Sequence, residues 1–192
     1  YDVVIEAIKL LRRNDKKIIT NTVLTKKNIQ DIDYVVDLAK TYDFKALFQP
    51  IFHYGISESK NKIEDLKPTY FEMNNAMNHL IYHKKHTKHI GNSIAFFRYV
   101  QKSWMSSYSL KCYANNLFCV VDPLGYILPC CFNIQRNSLT NAIEKGFKQA
   151  YINSASNCFS KKCKGCYCNA YIESNLAFSF HPSACVNALE IV

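Results

Sequence analysis

Val3, Val4, Ala7, Ile8 and Leu11 fall on one helical stripe, and Asn14-Asp15 ends the pattern before a β-branched run over residues 18–24. Ile29, Ile32, Val35, Val36 and Ala39 repeat the helical period with Asn28 placed to cap them, and residues 46–52 read as a second buried strand. The expected order is helix, strand, helix, strand. Strands joined by single amphipathic helices imply an α/β fold with a parallel sheet, open or closed into a barrel. Residues 53–67 are polar and lysine-rich and read as a loop before a helix opened by Pro68. Helices are expected over 69–84 and 92–106, the second with Ile94, Phe97, Tyr99, Val100 and Trp104 as its bulk. From Ser107 onward the pattern changes. Residues 118–121 and 126–128 flank Asp122-Pro123-Leu124-Gly125 as two short strands around a turn, and residues 139–151 form a further amphipathic segment.

With 192 residues and 48% hydrophobic content, the chain can bury one sizeable core or two small ones, so disorder is not expected. No run approaches the roughly 20 apolar residues of a membrane helix, and the N-terminus lacks a secretory pattern, so a soluble cytoplasmic protein is expected. The chain starts at Tyr1 with the amphipathic pattern already running by Val3, which reads as a fragment of a longer protein. Residues 1–73 hold 12 basic and 11 acidic residues, whereas 74–192 hold 12 basic and 4 acidic, so the net charge of +9 belongs to the second half. A basic surface suits an anionic partner such as nucleic acid. The same half, however, holds all nine cysteines, whose thiolates on a metal centre would attract nearby lysines.

Nine cysteines in an intracellular chain argue for metal coordination rather than a disulfide framework. Cys163-x2-Cys166 can grip one centre from a single tight turn, helped by Gly165. Cys112 enters the hairpin and Cys130 leaves it, so a second pair of soft ligands can approach from there. The set Cys112, Cys130, Cys163 and Cys166 suits zinc or an iron–sulfur cluster, and spacing does not separate them.

The stretch Cys112-x12-Gly125-x4-Cys130, followed by Cys163-x2-Cys166, resembles the twitch and SPASM domains of radical S-adenosylmethionine enzymes. The resemblance implies that the glycine turns the hairpin and that the four cysteines ligate one auxiliary 4Fe–4S cluster. The longer, two-cluster SPASM spacing would call for cysteines where Ile172 and Leu176 stand; there Cys168 and Cys185 would have to substitute, with Cys119 joining the first cluster. Residues 1–52 look like the fourth helix and the fifth and sixth strands of that family's partial TIM-type barrel. The resemblance then implies barrel over 1–60, bridging helices over 61–106 and the auxiliary domain over 107–192. It places Asn21, Val23 and Gln49 near S-adenosylmethionine. It further implies a flavodoxin or ferredoxin as electron donor, a peptide as one substrate class, and hydrogen abstraction by a 5′-deoxyadenosyl radical. No C-x3-C-x2-C occurs in the chain, so the motif that binds the S-adenosylmethionine-cleaving 4Fe–4S cluster is missing and the chain alone is expected to be inactive. The rival is a non-enzymatic zinc module with a basic face on nucleic acid.

Cys119, Cys131, Cys158, Cys168 and Cys185 read more simply as small buried hydrophobes, and Cys131 should point away from its neighbour Cys130. His79, His83 and His86 share a helical face at a metal-binding spacing, although interleaved Lys84, Lys85 and Lys88 favour a solvated basic face. His181 reads as a loop histidine, and Asn21 and Gln49 also fit as satisfied polar residues of strands.

Overall fold

The computed structural model describes residues 2–52, 63–114, 116–128, 130, 140–156 and 165–191. The chain divides into two compact units, one of Tyr1–Phe52, Asn61–Tyr108 and Cys166–Val192, the other of His53–Lys60 and Ser109–Gly165. Residues 166–192, which the sequence groups with the cysteine-rich segment, thus belong to the first unit. Their apolar side chains are the reason: Tyr171, Ile172, Leu176 and Ala184 are all buried. Ile172 and Leu176, where the longer cysteine pattern fails, are core positions of a helix.

In the first unit, helix α1 (Asp2–Arg13) precedes strand β1 (Ile19–Leu24), a 3-10 turn (Ile29–Asp31), helix α2 (Ile32–Thr41) and strand β2 (Lys45–Pro50). The strands pair in parallel, from Ile19 opposite Lys45 to Leu24 opposite Pro50. On the other edge of β2, a single parallel bridge joins Ala46 to Ile90, with Ala46 N donating to His89 O at 2.8 Å and Gly91 N to Ala46 O at 2.9 Å. Among the described residues this small sheet forms no barrel. The architecture is mixed helix and sheet.

Leu24, Ala46 and Phe48 bury one sheet face, as do Ile32, Val36 and Ala39 of α2. The predicted stripe of α1 is covered only at Ile8; Val3, Val4 and Leu11 remain exposed. Asn28 does not cap α2. Its side chain turns back onto the end of β1, accepting from Thr25 N and donating to Val23 O, and the chain makes the 3-10 turn before the helix starts.

Helix α3 (Tyr70–His86) is opened by Thr69, not Pro68. Thr69 Oγ1 accepts from Glu72 N, while Glu72 Oε2 accepts from Thr69 N at 2.7 Å, a reciprocal cap that Pro68, lacking an N–H, cannot make. Ser93 caps helix α4 (Ile94–Ser103) through Phe96 N. Phe96 and Phe97 are fully enclosed there, each contributing about 1.5–3 kcal/mol by burial. Trp104 Nε1 donates to Pro68 O, tying the end of α4 to the start of α3.

In the second unit, β3 (Val120–Val121) and β4 (Ile127–Leu128) form the expected antiparallel hairpin. Gly125 takes φ +85°, and a Cβ there would stand 2.7 Å from Ile143 Cγ1, so a side chain at the turn would be strained and would have to displace Ile143. Residues 139–151 are not one helix: residue 139 lies outside the described residues, and Gly146 at φ +76° separates α5 (Ala142–Lys145) from α6 (Phe147–Ser156). Asn141 caps α5 and also donates to Leu124 O, which fixes the helix start to the hairpin turn. Helices α7 (Asn169–Phe178) and α8 (Pro182–Ile191) complete the first unit.

Candidate functional site

Two of the four predicted cysteine ligands flank the hairpin in the second unit. Cys112 stands just before the bridge between Ala114 and Phe118 that leads to β3, and Cys130 follows β4; both are half-buried. Cys163 lies outside the described residues, as do Cys131 and Cys158. Cys166 is also half-buried and opens the last segment of the first unit.

Cys166 has aromatic company. Tyr99 Oη donates to its carbonyl oxygen, and Tyr167 stands 5.2 Å from Trp104, 6.1 Å from Tyr99 and 6.3 Å from Phe52, measured between ring centroids. Burial pushes the Tyr99 phenol up, with a further push from the Cys166 thiolate, and burial raises Tyr167 as well. Both phenols therefore stay neutral. They form an aromatic wall beside Cys166, with Tyr99 and Trp104 buried.

The remaining described cysteines take structural places. Burial pushes the Cys119 thiol up, which disfavours the thiolate a metal needs. Cys185 Sγ donates to Ala177 O, and Cys168 sits at the N-terminal boundary of α7 without a side-chain capping bond.

Asn21 and Gln49 share one partner. Asn169, the first residue of α7, donates from Nδ2 to Asn21 Oδ1 at 2.7 Å and from its backbone N to Gln49 Oε1 at 3.3 Å. Asn169 Oδ1 accepts from Asn92 Nδ2 at 2.8 Å, and Asn92 Oδ1 accepts from Phe48 N at 2.7 Å. Asn92 thus supplies β2 with the acceptor that a third strand would otherwise provide. Val23, opposite Gln49 in the register, is 40% exposed.

A second set of polar links ties the same helices together. Ser93 N donates to Glu173 Oε1, Lys84 Nζ to Asn187 Oδ1 and Ile90 O, and Asn187 Nδ2 to Gly91 O. Lys84 is therefore not part of a solvated face. Burial raises the Glu173 carboxyl, outweighing the lowering by Ser93 and Lys84.

Asn92, Asn169, Glu173 and Asn187 are absent from the sequence-based set. For the asparagines the one sequence signal is a residue of weak helix preference within or beside a helical apolar pattern, which calls for another reason to be present; Glu173 carries no such signal.

The three histidines of α3 separate. His86 Nδ1 contacts Tyr82 O and its ring packs 4.2 Å from that of Tyr82, whereas His79 and His83 turn toward Asp33 of α2. His83 is only 13% exposed by side chain, whereas Lys85, His86 and Lys88 are exposed, so the expected basic face forms without His83 and Lys84. His181 occupies the turn before α8 and is exposed, as a loop histidine should be. No described helix is long and apolar enough to cross a membrane.

Comparison of the chain with known family models and with curated proteins finds no match.

Proposed function

We propose that the chain is the C-terminal part of a radical S-adenosylmethionine enzyme in which Cys112, Cys130, Cys163 and Cys166 hold an auxiliary 4Fe–4S cluster. The observation that carries this reading is the hairpin: Gly125 turns it in a conformation that favours glycine, with half-buried Cys112 and Cys130 on either side. The donor set fits the group, since thiolates are the ligands of iron–sulfur clusters. When bound, such a cluster supplies one-electron transfer or an iron site for substrate.

The chain's own residues would serve that centre in stated ways. Tyr99, Tyr167 and Trp104 exclude water beside Cys166. Asn21, Val23 and Gln49 are the proposed S-adenosylmethionine contacts, two of them steadied by Asn169. The parallel β1–α2–β2 unit agrees with a segment of a partial barrel, and exposed Val3, Val4, Ile19 and Val23 are apolar positions that further barrel elements would cover. The cluster that cleaves S-adenosylmethionine has no ligand motif in this chain, so a peptide or other substrate, and a flavodoxin or ferredoxin donor, are assigned to the whole enzyme. The basic second half would favour an acidic substrate.

Anaerobic purification with iron and sulfide analysis tests the reading. A brown protein with broad sulfur-to-iron absorption and a 4Fe–4S stoichiometry, lost in Cys130→Ser and Cys166→Ser, is the expected result. A colourless protein whose four cysteines bind one zinc would overturn it in favour of the zinc module with a nucleic-acid face.

A further inference from the structure

We infer that Asp33, His79 and His83 form a site for a divalent first-row transition ion, zinc above all, separate from the cysteines and independent of the reading just proposed. His79 and His83 stand four residues apart on α3, so their rings project from successive turns of one face. Asp33 comes from the first turn of α2. Asp33 Oδ1 lies 2.7 Å from His83 Nε2 and 3.1 Å from His79 Nε2, and the two Nε2 atoms are 3.1 Å apart.

Hydrogen bonding does not account for that triangle. Each imidazole Nε2 offers one in-plane direction, holding either a hydrogen or a lone pair, and an ionised carboxylate brings no hydrogen. If both rings donate to Asp33, two N–H groups face each other across the 3.1 Å edge between the nitrogens. If one ring donates to the other, a lone pair of the acceptor ring confronts the carboxylate. Every arrangement leaves one edge repulsive. A cation at the common point makes all three contacts attractive at once.

The dimensions suit such an ion. The circle through the three atoms has a radius of about 1.7 Å, so an ion about 2.05 Å from each stands about 1.1 Å out of their plane, a facial three-ligand arrangement. Two imidazoles and one carboxylate select zinc, cobalt, nickel or copper over magnesium or calcium, which prefer all-oxygen shells. His86 does not converge with these three; its ring packs on Tyr82 instead.

Only three protein ligands converge among the described residues, and their side chains are 61%, 43% and 13% exposed for Asp33, His79 and His83. The remaining coordination position is left for water or a small anionic or carbonyl ligand, as in sites where zinc acts on something rather than only holding a fold. His79 also lines a cleft of about 280 Å³, walled by Ile29, Ile32, Phe71 and Ala76 together with Gln30, Glu72 and Asn75, a mostly apolar recess beside the proposed site.

The test uses the full chain labelled with 15N-histidine and zinc alone as the probe, read at the imidazole nitrogens so that zinc on cysteines does not enter the result. Assignments come from His79→Gln and His83→Gln, and His86→Gln serves as the control. One equivalent of zinc at this site should shift the Nε2 resonances of His79 and His83 together and leave His86 in place. Asp33→Asn should weaken that response about 10-fold or more. Should either glutamine variant fail to fold, the wild-type titration and Asp33→Asn still decide. Unmoved Nε2 resonances at saturating zinc, or an affinity at these nitrogens unchanged in Asp33→Asn, would overturn the assignment.

Discussion

Asn92 is fully enclosed and holds two elements at once, which makes Asn92→Ala the sharpest test of how the first unit is assembled. Its Oδ1 takes the Phe48 amide at 2.7 Å, and its Nδ2 gives to Asn169 Oδ1 at 2.8 Å. Alanine leaves both the buried Phe48 N–H and the buried Asn169 Oδ1 without these partners. Each unsatisfied group costs about 1–3 kcal/mol, so the variant should lose about 2–6 kcal/mol, toward the lower end if a water fills the space. Against a total of about 5–15 kcal/mol for a typical domain, that loss is large.

Urea unfolding measures it as a lower midpoint at unchanged slope. Amide exchange adds a local readout, because the Phe48 amide should exchange faster than its neighbours in β2 once its acceptor is gone. A double-mutant cycle with Asn169→Ala should show about 1 kcal/mol of coupling across the side-chain bond. A loss under about 0.5 kcal/mol with Phe48 exchange unchanged would refute the reasoning. The knot also bears on function: Cys166 and Cys168 lie immediately before α7, so a loosened Asn169 should lower retention of any centre bound at Cys166.

Two further outcomes follow from single positions. Gly125→Ala should lower the melting temperature by the equivalent of about 1–2 kcal/mol, because a side chain is strained at φ +85° and its Cβ would meet Ile143; an unchanged melt would show that the turn relaxes. Glu173 is raised above its ordinary value of 4.5 by burial, so the folded state holds its proton more tightly than the unfolded chain, and the stability this confers is present below that value and lost as pH rises through the folded one. Glu173→Gln keeps an acceptor for Ser93 N and removes the buried charge, so its stability relative to wild type should climb as pH is raised from about 4 to 8; parallel stability curves would show that burial does not govern this carboxyl.

The elements were readable where one period dominates. Residues 18–24 and 46–52 announce strands through continuous apolar or β-branched content, and the structure places β1 and β2 there with small shifts at the ends. The hairpin was readable because Asp122-Pro123-Leu124-Gly125 contains its own turn chemistry. Helix starts were less so: Asn28 and Pro68 carry generic cap signals, but Asn28 is drawn to Thr25 and Val23, and Thr69 has the reciprocal partner in Glu72. The split at Gly146 was hidden because an amphipathic pattern continues across it.

The site residues divide along the same line. A side chain whose role is set within a few positions of sequence can be read from its neighbours, as Gly125 can. Asn21, Gln49, Asn92 and Asn169 derive theirs from partners as many as 148 positions away, and Asp33 is 50 positions from His83. No local period records such pairs, because folding alone brings them together. What sequence does record is a mismatch: asparagines on buried helical faces and paired histidines near a helix end, each costly or idle unless something distant answers it. For Asn92 and Asn169 the answer is another amide and for Asn187 it is a lysine and a backbone carbonyl; for the histidines it is a carboxylate that satisfies only two of three contacts, and that remainder is the physical argument for an ion.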